Sequence, residues 1–156
     1  MKKLSHTSLT AISGMVWIAV GLYLLPLGVY LLILSSGGEG APIITAFSPY
    51  TGAEAAALSL LIFGFGLGYM KARYVFAKAV QRNVLRIRTL PNPASITQIY
   101  GARSLILLAV MAGLGMAMRR FGVPPDIRGM VDVAVGSGLI NGGLAFFKLK
   151  EKTLPS

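Results

Sequence analysis

Asp132 is the side chain with the most chemistry to offer. It lies in an apolar stretch, and an acid inside a membrane-depth segment is a functional candidate by default. There it could bind a cation or carry a proton. The other role for it is a structural ion pair with Arg128, Arg119 or Arg120, and this is the reading the sequence favours. Asn141 sits deeper in the same stretch, one turn from Ser137. Its amide could hydrogen-bond across to a neighbouring helix or touch a substrate, and packing is the favoured role. Glu54 falls in the pattern Thr51-Gly-Ala-Glu54, a capping box in which each side chain would satisfy a free amide at a helix start. His6 stands alone in a polar tail and is assigned nothing.

A second group of candidates is basic. Between Lys71 and Arg103 lie seven of the fifteen lysines and arginines and no acid. Lys71, Lys78, Arg82 and Arg86 fall on one face of a helical pattern whose other face carries Phe76, Val80, Val84 and Ile87. Such a face suits anionic lipid headgroups or a cytoplasmic partner. Enzymatic motifs are missing: the sequence has no HExxH, no GxSxG, no phosphate-binding GxxxxGK[ST] and no paired carboxylates on one helix face. Gly64-Phe-Gly66-Leu-Gly68 superficially resembles a nucleotide loop but is embedded in an apolar run, where helix packing explains it better. No cysteine is present, so disulfides and thiolate metal sites are excluded. No cofactor or metal is expected.

The elements that hold these residues follow from composition. With 54% apolar and 13% charged residues and a mean hydropathy of +0.70, the chain lies outside the soluble range. A net charge of +10 could mean nucleic acid, but the basic residues cluster at the ends of apolar runs, as the positive-inside rule demands. No nucleic-acid partner is expected. The fold class is all-α, a single four-helix transmembrane domain over residues 1–156. The spans are placed at about 9–34, 53–70, 102–120 and 129–147, with a cytoplasmic basic segment at 71–103. The first apolar run is too long for a signal peptide and no Ala-x-Ala follows it, so it is read as a retained helix. Pro26 should kink it, and Trp17 is the one aromatic placed to anchor it at the interface. Ser35–Tyr50 reads as a loop by its glycines and prolines, with Ile43, Ile44, Phe47 and Tyr50 resting on the outer interface. After Lys71 the helix should continue unbroken, protruding past the membrane or bending along its inner surface, and stop before Pro91 and Pro93. Asp126 is placed to cap the last helix. The third run is short, and a re-entrant hairpin over residues 104–147 is the alternative to two full spans.

Small residues mark the packing faces. Gly64, Gly68 and Ala72 recur every four residues. In the last span Gly129, Gly136 and Gly143 share the face of Asp132, while Ala134, Gly138, Gly142 and Ala145 occupy the opposite one. That span should therefore be sandwiched between neighbours. Ile62–Lys71 also overlays Leu139–Lys148 without gaps, matching Gly66 to Gly143, Leu67 to Leu144 and Lys71 to Lys148. This suggests two parallel helical-hairpin repeats, although glycine-rich apolar segments also align by chance.

The functional expectation is a non-enzymatic helix-packing, assembly or accessory subunit. It would sit in a plasma membrane, the bacterial inner membrane, with both termini cytoplasmic, as a homo-oligomer or within a larger membrane complex. The alternative is a small oligomeric transporter or channel with Asp132 and Asn141 lining the pathway.

Overall fold

A computed structural model describes residues 6–38, 40–89, 110 and 113–151. These residues are helical apart from short connections at 37–38, 40–41, 52 and 121–124, with no strand among them. The helices are α1 (His6–Ser36), α2 (Pro42–Thr51), α3 (Ala53–Lys71), α4 (Ala77–Thr89), α5, described over 113–120, and α6 (Pro125–Glu151). A π-helical stretch, Ala72–Phe76, joins α3 to α4. Among the described residues three helices are long and apolar enough to cross a membrane: Thr10–Ser36, Ala53–Arg82 and Pro125–Lys148. Large apolar side chains stand outward along them, including Leu22, Ile33, Ile62 and Tyr69, each more than half exposed. In water such a surface would aggregate, whereas in lipid it needs no cover. Most of the 102–120 run, the Pro91 and Pro93 stop, and Lys2, Lys3, Arg103 and Lys152 lie outside the described residues.

The bundle is built on α6. Gly14, Gly21 and Gly28 of α1 face Gly143, Gly136 and Gly129 of α6, three rungs of an antiparallel ladder. Both sets are spaced by seven residues, which returns a helix to nearly the same stripe, within about 20°. The approach is backbone to backbone. A methyl group placed on Gly21 would come 2.7 Å from the Gly136 carbonyl oxygen, and one on Gly28 equally close to that of Gly129. In lipid there is no hydrophobic drive between helices, so this close packing has to supply the attraction.

The second face of α6 takes α3. Gly64 lies against Met130 and Val133, and Gly68 against Ala134, Ser137 and Gly138. Numbering rises in the same direction on both helices, so α3 and α6 run parallel. Beyond the glycines, Val80 and Val84 of α4 close on Trp17, Leu139 and Phe146. The apolar side of α4 is thereby packed on α1 and α6. The unbroken α-helix expected after Lys71 is interrupted by the π-stretch, in which the Ala77 amide donates to the Ala72 carbonyl five residues back. A stripe repeating every four residues drifts by about 40° per repeat, and one extra residue in a turn resets it by about 100°. The π-stretch thus returns Val80 and Val84 to the face of Gly64 and Gly68.

Other expectations are corrected. Trp17 is no interfacial anchor. It is 2% exposed and meets Phe146 edge-on, with ring centroids 5.6 Å apart. The segment read as a loop over Ser35–Tyr50 contains α2, which begins with Pro42 at a position that suits a fixed φ and buries Ile44 against Ala56 and Ala57. Pro49 deprives the Thr45 carbonyl of its amide donor, and the Ser48 hydroxyl donates to that carbonyl instead, at 3.1 Å. The capping box does not form. Thr51 ends α2 and its hydroxyl donates back to Phe47, while Gly52, at φ 84°, starts α3 without a side-chain cap. Gly66 and Gly143, matched in the overlay of the two hairpins, have different surroundings: Gly66 faces open space and Gly143 is locked against Gly14 and Ile18.

Gly21→Leu should destabilise the fold by about 2 kcal/mol or more, since backbone on the facing helix cannot yield to the larger side chain. Gly66→Leu should change it little. Thermal unfolding of the two variants in detergent makes the comparison.

Candidate functional site

The polar groups of α6 fall at three levels. Asp126 is fully buried in the first turn, one residue inside the helix that starts at Pro125. Its Oδ1 accepts the Ile127 amide at 2.8 Å. Its Oδ2 reaches across to α2 and accepts the amides of Ile43 at 2.8 Å and Ile44 at 3.4 Å. The expected cap on its own helix is therefore only half its role. The first turn of α2 has no acid, and its N-cap residue, Ala41, has no side chain that can accept. Asp126 caps that helix from 83 residues away, adding a carboxylate to the positive end of its dipole. The sequence hides this latch because the glycines and prolines around α2 have the composition of a loop. An uncapped Ala41-Pro42 start was the available signal.

Asp132 is 7% exposed and lies between Gly129 and Gly136, on the face of α6 turned to α1. Among the described residues no donor bonds its carboxyl, and the ion pair expected with Arg128, Arg119 or Arg120 is not closed. Arg128, one turn earlier and half-buried, acts on it through the field alone. Arg119 and Arg120 are exposed.

Asn141 does not bond across to another helix. Its amide donates to the Ser137 carbonyl of its own helix at 2.9 Å, and the residue is exposed. Ser137 is buried and its hydroxyl donates to Ala134, at the point where Gly68 of α3 approaches. The packing glycines divide between the two faces: Gly136 and Gly143 meet α1, Gly64 and Gly68 of α3 meet α6 near Gly138, and Gly142 is buried.

The basic group sits at the other end of the bundle. Lys71, Lys78 and Arg82 are exposed, as is Arg73, and Tyr69 and Tyr74 stand out beside them. Arg86 lies on α4. Its side chain is outside the described residues. No cluster of three or more His, Cys, Asp or Glu that could hold a metal occurs among the described residues. No protein-family model, curated protein or solved structure matches the chain. Function must therefore be argued from the geometry itself.

Asp126→Ala should leave the two α2 amides without an acceptor and cost about 1–2 kcal/mol. The expected readout is faster hydrogen exchange at Ile43 and Ile44, with exchange at Val133 and Leu139 less affected.

Proposed function

We propose that the protein is a non-enzymatic polytopic membrane protein, a helix-packing and assembly unit of four spans with both ends at the cytoplasmic face. The observation that carries this reading is the way α6 is gripped on two faces by glycine contacts from α1 and α3. Backbone lies against backbone along those faces, and two cavities, of about 340 and 430 Å³, have mainly apolar walls. A protein built this way offers surfaces rather than a pathway.

Four spans are supported by direction. Because α3 and α6 run parallel, the chain leaving α4 at Thr89 has to travel back along the bundle before it can enter α6 at Pro125. The apolar run at 102–120 is what the sequence provides for that return. Charge supports the orientation. Twelve lysines and arginines then lie at the inner side, two at the start, seven centrally and three at the end, against three at the outer side. Placed so, the exposed Lys71, Lys78 and Arg82 with Arg86 form the docking face for anionic headgroups or a cytoplasmic partner. Tyr69 and Tyr74 sit where interfacial aromatics gather.

The second reading, an oligomeric transporter or channel, rests on Asp132. A buried carboxyl that no donor among the described residues satisfies is costly and is retained most often for a task.

Changing Lys78, Arg82 and Arg86 together to Gln should weaken retention of anionic lipid by the purified protein, by about 1 kcal/mol per residue removed. Loss of a copurifying cytoplasmic partner is the equivalent outcome, and no change in either ends the docking reading. Ion flux in proteoliposomes comparing wild type with Asp132→Asn decides the second reading, which identical flux removes.

A further inference from the structure

With no capping box formed, Glu54 is not used at the start of α3, and its surroundings supply another use. Both α1 and α3 lean on α6 more than on each other, and near the α2 end they leave a slot between them of about 340 Å³. Val29 and Leu32 of α1 and Ala57 and Leu61 of α3 line its length. The two polar side chains lie together at one end: Ser36 is the last residue of α1, and Glu54 is in the first turn of α3. Because α1 and α3 are antiparallel, Val29 and Leu61 mark the opposite, deep end. From Glu54 to Leu61 the slot descends roughly 10 Å along the helix.

The chemistry at the mouth is acceptor chemistry. Glu54 is exposed, and among the described residues no donor bonds its carboxylate. The Ser36 hydroxyl donates to the Ile33 carbonyl at 2.7 Å, which leaves its oxygen lone pairs free to accept. We propose that this slot binds one chain of an aminophospholipid, with the lipid's ammonium group held by Glu54 and Ser36. The volume is at the lower end of the range for small-molecule sites, so the slot takes the upper part of a single acyl chain and not a whole lipid. An ammonium group brings three donors to two acceptors at the level where headgroups lie. An anionic headgroup would meet the Glu54 charge instead, and a trimethylated one has no donor to offer. The slot is separate from the basic face, which lies at the other end of α3.

Native mass spectrometry of the detergent-purified full chain tests this, using phosphatidylethanolamine, phosphatidylcholine and phosphatidylglycerol of matched acyl composition. Wild type is expected to retain phosphatidylethanolamine, and Glu54→Gln to weaken that retention about tenfold, the loss of one charge-assisted hydrogen bond. Glu54→Asp should keep the preference. Ile33→Trp, a bulky change at an exposed position on the slot wall, should weaken phosphatidylethanolamine as much as Glu54→Gln does. Phosphatidylglycerol held at the basic face should be unchanged by Glu54→Gln, and a failure of that face would show as no phosphatidylglycerol bound to any variant. Equal retention of phosphatidylethanolamine by wild type and Glu54→Gln overturns the proposal. So does equal retention of phosphatidylethanolamine and phosphatidylcholine by wild type, or a protein segment found in the slot in place of lipid.

Discussion

The rest of the structure depends on how closely the backbones of α1 and α6 approach. At three levels a glycine on one helix is set against a glycine on the other, and no side chain separates the main chains there. Two apolar helices in lipid gain nothing from leaving solvent, since the acyl chains are as apolar as leucine. What remains is dispersion between closely apposed atoms, and dispersion falls steeply with distance. The glycine ladder makes that contact continuous over four turns. With α1 fixed to one face of α6, the other face is free to take α3, and the direction of α3 follows from the short α2 connection.

Much of this was legible in the sequence, and the reasons differ by element. Composition and uncharged length were enough to place α1, α3 and α6, because the bilayer sets a minimum span that few other structures need. The two smooth faces of α6 could be read from Ala134 and Gly138 on one side and Gly136 and Gly143 on the other. The partner on α1 could have been read too. Gly14, Gly21 and Gly28 repeat every seven residues, but a search for four-residue spacing passes over them.

The less legible features are those that depend on contacts distant in the chain. The segment around Pro42 has the composition of a loop, and it is helical because Asp126 supplies an acceptor and Ile44 finds a pocket on α3. Thr51 and Glu54 match a local motif, but α2 already uses Thr51, so local pattern lost to tertiary context. Trp17 has the sequence position of an anchor and the environment of a core residue, since Phe146 and Val80 close over it. For the candidate site, residue type pointed to Asp132, but burial and the absence of a bonded partner among the described residues could come only from the structure.

The bond between Asp126 and α2 also has a bearing on biogenesis. On the ribosome α2 emerges long before the carboxylate that completes it, and for the synthesis of some eighty residues its leading amides have only water or headgroups to bond. The α2 end of the protein therefore matures last, when α6 delivers Asp126 to its place. A nascent chain arrested before that point would carry α1 and α3 beside an unfinished α2, a difference that a quality-control protease can recognise.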